Sequence, residues 1–244
     1  MSITTADVNK ERELQDILRK HADAMGGLRN WNKIESIRTT GTIERNGQLV
    51  DFCIIKKRPN QIRATITMPI PGNEEQFVQV IRAHDGNEAW TATRLAGGET
   101  LAQKTLTGDE ASDLIDEAQV LPQLINLWQN NANFELAGVK SYGGDVHHII
   151  QAAYKHAPDK SYEFHVSKSS FLVSKSITYK NDQITSTATL SNLTPISGIT
   201  VAKTLQLNSP ATGPSLMQIE DVTVGVGIYK EYFEGSPLEL SATR

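Results

Sequence analysis

Apolar and polar residues alternate along most of the chain, in short runs separated by turn residues. Residues 36–45 alternate strictly, which is the period of a half-buried strand, and Asn46-Gly47 then predicts a tight hairpin turn. Similar runs recur at intervals of roughly 8–12 residues, a spacing typical of sandwiches and barrels rather than of βαβ units. We therefore predict a mainly β chain of about eleven strands with two helical segments.

One of these runs is apolar on both of its faces. In residues 48–57, Phe52 and Ile54 alternate with Cys53 and Ile55, so we expect this strand to be covered from two sides. Cys53 is then a small buried hydrophobe rather than a nucleophile. The next strand carries an inner row of four residues, and a loop is predicted after it. The row is Ile62, Ala64, Ile66 and Met68, and the loop is Met68-Pro-Ile-Pro-Gly72.

Two stretches have the period of a helix instead. Residues 8–25 are amphipathic, with His21 on the apolar face, and Gly26-Gly27 predicts a left-handed end to this helix. We interpret His21 as a packing histidine rather than as a ligand or a base.

The second helical stretch is an insert between strand runs, at residues 107–131. Thr107 and Glu110 have the spacing of a capping box, and Pro122 predicts a break after Leu121. The insert is apolar on one face before the break and has a bulky apolar cluster after it. Such a segment buries its face against the strands, as a plug or as a lid.

Composition narrows the functional classes. The formal net charge is −4 and the pI is near 5.9, which argues against nucleic acid as a partner. No apolar run approaches the roughly 20 residues that a membrane helix needs, so we do not expect an integral membrane protein. Composition does not change abruptly and no linker is visible, which favours one domain over residues 1–244.

Motifs for catalysis and metal binding are missing from the sequence. It contains no G-x-S-x-G, P-loop, G-x-G-x-x-G after a strand, or paired C-x-x-C. His147, His156 and His165 stand nine residues apart, and we interpret them as a coincidental surface set. We therefore expect no metal, no cofactor and no enzyme activity. The apolar surplus has two explanations, a filled core or a site for an apolar ligand, whose burial yields ~25 cal/mol per Å².

Seven segments in order resemble the LolA/LolB-like lipoprotein-carrier superfamily, in particular the outer-membrane lipoprotein-sorting proteins. The similarity runs from about His21 to Pro237, and its order and spacing are more specific than any single segment. The segments are HADAMGGLRNWNKIESIRTTGTI, KKRPNQIRATI, VIRAHDGNEAW, LTGDEASDL, YEFHVSKSSFLVSKSITY, NLTPISGITVAKTLQL and VTVGVGIYKEYFEGSP.

The resemblance implies a half-open antiparallel β-barrel whose open side is covered by helices. It implies a periplasmic, monomeric carrier, its signal peptide removed, for the acyl chains of lipoproteins or another hydrophobic small molecule. Transfer proteins of the inner and outer membranes would be its partners. The family's lid-holding arginine has four candidates here, and no local motif selects one. They are Arg38, Arg45, Arg58 and Arg63.

From the apolar pattern and the resemblance together, we predict a cavity-and-lid site. Its residues are Leu114, Ile115, Leu121, Leu124, Ile125 and Trp128 of the helical insert, with Trp90, Phe77, Phe52 and Ile66 of the strands. The alternative is an interaction module whose barrel is filled and whose outer face binds a protein. An enzyme acting on a lipid or glycan is less favoured and would need a polar cluster inside the cavity.

Overall fold

A computed structural model describes residues 5–155 and 157–235. This part of the chain contains four α-helices, thirteen strands and one short 3-10 helix. The helices are α1 (Thr5–Ala24), α2 (Leu28–Asn32), α3 (Gly108–Glu117) and α4 (Gln123–Gln129), with the 3-10 helix at Lys230–Tyr232. The first strands are β1 (Ser36–Arg45), β2 (Gln48–Lys57), β3 (Gln61–Ile70), β4 (Asn73–His84), β5 (Ala89–Leu95) and β6 (Thr100–Thr105). The others are β7 (Asn133–Tyr142), β8 (Asp145–Ala153), β9 (Lys160–Ser167), β10 (Val173–Lys180), β11 (Gln183–Ile196), β12 (Ile199–Ser209) and β13 (Gly213–Val224).

The strands form an antiparallel sheet that does not close on itself, which confirms the predicted fold class. Their hydrogen-bonded order is β6-β5-β4-β3-β2-β1-β13-β12-β11-β10-β9-β8-β7. The predicted number of about eleven strands is slightly too low. The tight turn predicted at Asn46-Gly47 is confirmed, and both of its residues have positive φ. The prediction of two helical segments is also too low, since it missed α2.

Contacts divide the chain into two compact units. The first contains the chain up to Lys33 together with Leu121–Gln218, and the second contains Ile34–Val120 and the chain from Ile219 onward. The predicted helical insert is thus shared, with α3 in the second unit and α4 in the first. The single-domain organisation stays a prediction, and each unit is described separately below.

The core of the first unit lies between helices and one face of a sheet. Leu14, Ile17 and Leu18 of α1 pack with Leu124 and Leu127 of α4. Their partners on the strands lie on one face, because every second residue of a strand points the same way. These partners are Ile150 and Ala152 of β8 with Tyr162, Phe164 and Val166 of β9.

The C-terminal end of α1 is fixed to the turn between β11 and β12. Gly26 has φ +101, and a Cβ placed on it would overlap the backbone of Gly198. Met25 O accepts a hydrogen bond from Thr200 N at 2.9 Å. Asn30 Nδ2, in the middle of α2, donates to Gly26 O at 2.8 Å and to Gly198 O at 3.0 Å. The predicted glycine end of the helix is confirmed, and it serves close packing as well as the turn.

The sheet of the second unit is covered on both faces. On one face, Leu114 of α3 and Ala118 directly after it pack on Ile62 and Ala89, with Ile54 of β2 against this cluster. On the other face lies the segment 225–235, which we call the C-terminal segment. Lys57 Nζ of β2 donates to the carbonyl of Ile228 in this segment at 2.7 Å. The two-sided cover predicted for β2 is therefore confirmed, although Cys53 is only half-buried.

Two local predictions are wrong. Thr107 stands at the N-cap of α3, but its side chain makes no capping hydrogen bond, so the capping box is not formed. The predicted loop at Met68-Pro-Ile-Pro-Gly72 is mostly strand, since β3 continues to Ile70. Pro69 is tolerated there because β3 pairs with β2 only as far as Thr67 and with β4 alone beyond it. A break before Pro122 is confirmed, but it begins earlier than predicted, because α3 ends at Glu117 and residues 118–122 are not helical. Pro122 is the N-cap of α4.

Candidate functional site

An apolar cavity of about 170 Å³ lies inside the first unit. Helices line one side of it and β9–β12 the other. The helix residues are His21 and Met25 of the α1 end with Pro122, Gln123 and Leu124 at the start of α4. The strand residues are Phe164, Val173, Ser176, Ala188, Leu190, Leu193, Ala202 and Leu205.

The sequence places these side chains by simple periodicities. His21 and Met25 are four residues apart at the end of α1 and therefore share a helix face. Phe164, Ser176 and Ala188 lie opposite one another in the registers of β9, β10 and β11, so they point to the same face of the sheet. The cavity is the space that small residues such as Ala188 leave between that face and the two helices.

The size of the cavity limits what it holds in this conformation. A cavity of roughly 150 Å³ accepts a guest the size of benzene, whereas pockets for drug-sized ligands measure roughly 300–1,000 Å³. At about 170 Å³, the space fits a short alkyl segment or a single ring. A complete acyl chain needs displacement of one of the lining elements.

His21 is the titratable residue on the cavity wall, and its environment keeps it neutral. Its side chain is 2% exposed, and burial lowers its pKa from 6.5 to about 4. The ring Nδ1 lies 2.8 Å from the carbonyl oxygen of Phe171, which can only accept, so Nδ1 carries the proton and donates. The other nitrogen, Nε2, is shielded from solvent and has no hydrogen-bond partner in the part of the chain that the structure describes.

A larger depression of about 520 Å³ lies at the edge of the same unit, over β7, β8 and β9. Its lining mixes tyrosines with polar residues, and Glu135, Gln151 and Asp182 on its rim are exposed to solvent. Because water already solvates these groups, an apolar ligand gains less there than in the smaller cavity. We therefore take the smaller cavity as the candidate site.

Of the predicted site residues in the first unit, Leu124 lines the cavity. Leu121 and Ile125 are buried but are not part of its wall. Trp128 packs against the hydrophobic core and donates its indole N–H to Gln15 Oε1 at 3.1 Å. The break in the helical insert thus brings the start of α4, rather than its end, to the cavity.

The predicted site residues of the second unit lie in different places. Leu114 is fully buried under α3, while Ile115 is 36% exposed on the other side of that helix. Phe52 is buried and Ile66 half-buried. The pairing of Phe52 with Ile66 and of Ile66 with Val80 places them in one row of the sheet, opposite in facing to Phe77 and Trp90. A ligand role for these residues stays a prediction.

Trp90 binds the C-terminal segment. Its indole N–H donates to the carbonyl of Phe233 at 2.9 Å, and Phe233 is fully buried. The guanidinium of Arg63 lies 4.6 Å from the ring centroid of Tyr232 and 5.8 Å from that of Trp90, and Arg63 Nη1 also donates to Tyr232 O. Among the four candidate arginines, Arg63 therefore holds the C-terminal segment rather than an α-helix.

The residue of an early strand that does hold a helix is Lys56. Its Nζ donates at 3.2 Å to the carbonyl of Gln119, just after the end of α3. Burial lowers the pKa of Lys56, and the nearby carboxylate of Glu117 opposes this effect. Lys56 is not among the four arginines that the resemblance offers for this role. The signal was nevertheless present, because a cation in a covered apolar row has to find a partner.

The interpretation of His147 and His165 as surface residues is wrong. Both are buried, at 3% and 4% exposure, because the β8–β9 hairpin brings them to one face, where the ring of Tyr142 stacks on His147 at 4.2 Å. His165 Nε2 donates to Glu163 Oε1 at 2.7 Å. His156 lies outside the described residues.

This polar group faces away from the cavity. Glu163 and His165 alternate along β9 with Phe164, which lines the cavity wall. Burial raises the pKa of Glu163, but the hydrogen bond with His165 and the charge of Lys140 outweigh it and lower the pKa. Burial lowers the pKa of His165. The pair is therefore not part of the cavity wall.

The part of the chain that the structure describes lacks two further features. No group of three or more His, Cys, Asp or Glu side chains there could hold a metal ion. No helix there has both the length and the apolar character needed to cross a membrane.

Comparison with known proteins links the chain to others through structure alone. No family model matches the sequence, and no curated protein matches it either. Among solved structures, a DUF1329 family protein from Desulfovibrio piger superposes with a TM-score of 0.58 at 14% identity, over 90% of this chain and 96% of that one. A LolA superfamily protein from Nitrosomonas europaea gives 0.58 at 14%, over 91% and 97%.

A third similar structure is a domain named as an outer membrane lipoprotein-sorting protein, from Vibrio parahaemolyticus. It has a TM-score of 0.54 at 13% identity, over 89% of this chain and 94% of that one. At sequence identities this low, the superpositions show a similar fold and carry no information about activity. The unclosed antiparallel sheet, its covering helices and these three superpositions together show that the chain has a LolA-like fold.

Proposed function

We propose that this protein is a carrier that holds an apolar chain in the cavity of its first unit, without covalent chemistry. The cargo is an acyl chain of a lipoprotein or another hydrophobic small molecule, and the location is the periplasm. The observation that carries the proposal is the apolar cavity under the end of α1 and the start of α4. The LolA-like fold supports it, since one similar structure is named for lipoprotein sorting.

The chemistry of the cavity wall favours binding over catalysis. Its thirteen lining residues include no carboxylate, cysteine or lysine, and His21 is their only ionisable side chain. A lone neutral imidazole without a nucleophile beside it does not make a catalytic pair. A filled interaction module is less favoured because this part of the protein has empty apolar space.

Loading a complete chain requires a wider opening, because the cavity at about 170 Å³ accepts only a short segment of a chain. The α1 side is fixed by the backbone contacts at Gly26. The α4 side begins at Pro122, directly after a short non-helical stretch. We therefore expect the start of α4 to move when the ligand enters.

The test is binding of a fluorescent fatty acid to the purified chain and to one variant that fills the cavity. Ala188→Phe puts a ring into the space between β11 and α4, so binding should weaken by tenfold or more. Thr189→Phe is the matched control, because Thr189 is the next residue on the same strand and is exposed. Its side chain points to the opposite face.

The control variant should bind the probe as the native protein does. Equal binding by Ala188→Phe and Thr189→Phe would mean that the probe binds elsewhere and that the cavity is not its binding site. Failure of the native protein to bind either this probe or an uncharged probe with the same alkyl chain would refute the carrier proposal itself.

A further inference from the structure

The cavity wall carries one uncompensated polar atom. Nε2 of His21 is buried and without a partner among the described residues, although its side chain is one of those that line the cavity. A buried polar atom without a partner is costly, by an amount similar to that of a lost hydrogen bond. The other two polar side chains of the wall, Gln123 and Ser176, do not bond to Nε2 either, so this atom calls for a partner that comes with the ligand.

The chemistry of that partner follows from the other side of the ring. Nδ1 donates its proton to the carbonyl of Phe171 at 2.8 Å, and a carbonyl accepts and never donates. Because the ring is neutral, with its pKa lowered to about 4 by burial, its single proton is used there. Nε2 therefore presents a lone pair and acts only as an acceptor.

We propose that the ligand of this cavity carries a hydrogen-bond donor, a hydroxyl or an amide N–H, that is placed against Nε2 of His21 with an apolar body next to it. The proposal rests on the proposed carrier function and deepens it by naming the class of ligand. Among simple lipids, it favours alcohols and amides over ethers, esters and ionised carboxylates, since these last three groups only accept. The remaining wall then packs against the apolar body through aliphatic side chains, including Leu124, Leu190, Leu193 and Leu205.

A pair of isomers isolates the donor. 1-Hexanol and methyl pentyl ether have the same atoms and similar length, but only the alcohol has an O–H. We expect the alcohol to bind the native protein about three- to tenfold more tightly, the range for one neutral hydrogen bond. Ligand-observed NMR titration measures both affinities, and perturbation of the methyl signals of Leu190 and Leu205 reports whether each isomer occupies the cavity.

The variant His21→Asn is the second arm. The Asn amide can keep the donation to Phe171 from a position close to that of Nδ1, while the acceptor at Nε2 is lost. The preference for the alcohol should then disappear, and the ether should bind about as in the native protein. In the native protein, the ¹⁵N signal of His21 Nε2 should shift when the alcohol is added and remain in place with the ether.

Each outcome decides something. Equal affinity of the two isomers for the native protein overturns the donor requirement and leaves the carrier proposal intact. If neither isomer binds while the fluorescent fatty acid does, the donor requirement is again wrong and the carrier proposal stands. If the fatty acid and the uncharged probe with the same alkyl chain also fail to bind, both proposals are wrong.

Discussion

The burial of His21 makes the stability of the first unit depend on pH, and a single substitution tests this. A neutral histidine inside the fold has to be deprotonated, whereas the same residue in the unfolded chain takes up a proton near pH 6.5. The unfolded chain therefore binds more protons than the folded one between pH 6.5 and about 4. The contribution of His21 to the free energy of unfolding is fully present above pH 6.5 and is lost as the pH falls from 6.5 to about 4.

The magnitude follows from the two pKa values. The pKa falls from 6.5 to about 4, and each pH unit of that interval contributes 1.36 kcal/mol to the difference between the states. The loss should reach about 3 kcal/mol at pH 4, with about 2 kcal/mol of it already lost at pH 5. Because the side chain is 2% exposed, solvent screening does not reduce this value much.

The assay is urea unfolding of the native protein and of His21→Asn at pH 7, 6, 5 and 4. Asn keeps a donor for the Phe171 carbonyl and does not titrate, so the variant should lose less stability as the pH falls. The gap between the two free energies of unfolding should narrow by about 3 kcal/mol from pH 7 to pH 4. Carboxylates also titrate in this range, but they are common to both proteins and cancel in the comparison.

Ile17→Val is the control, since it removes a methylene from the same core without changing a titratable group. It should lower stability by about 1 kcal/mol equally at every pH. A gap between native protein and His21→Asn that stays constant with pH, like that of the control, would refute the neutral buried histidine. The donor inference would lose its support with it.

Three further predictions concern close packing and individual hydrogen bonds. Gly26→Ala should destabilise the first unit by ~2 kcal/mol or more in thermal unfolding, because its Cβ would overlap the β11–β12 turn; Gly27→Ala, with positive φ but open space, should lose about half as much. Lys56→Met should cost about 1–2 kcal/mol and speed hydrogen exchange at the end of α3, whereas Lys57→Met should speed it in the C-terminal segment instead. Trp90→Phe should cost about 1 kcal/mol in urea unfolding through the lost indole hydrogen bond, and unchanged stability would show that this bond is dispensable.

Much of the fold could be predicted because turns and alternation are local signals. Asn46-Gly47 and Gly26-Gly27 define chain reversals by themselves, since few residues tolerate positive φ. Pro122 marks the start of α4 for a similar reason. The length of β3 could not be predicted this way. Whether Pro69 breaks a strand depends on which neighbour is paired at that point, and pairing is not a local property.

The candidate site was harder to predict from the sequence, because a cavity is a space that the packed elements leave unfilled. Leu124 was predicted from the apolar pattern of the insert, but Ala188 and Ser176 complete the wall by being small, and small residues give no apolar signal. His165 shows the same limit on the opposite face. Hairpin register about the turn at residues 157–159 places it near His147, and that argument, rather than the spacing along the sequence, would have found the pair.

The backbone contact at Gly26 has a consequence for kinetics. If one wall of the cavity is fixed and only the start of α4 moves, every ligand enters and leaves through the same opening. The apparent affinity for a ligand is then the intrinsic affinity multiplied by the fraction of molecules in which the start of α4 is displaced. Long chains would keep the start of α4 displaced while they are bound, whereas short chains would allow it to return. The residence time of a ligand, more than its equilibrium affinity, would then determine which cargo is retained.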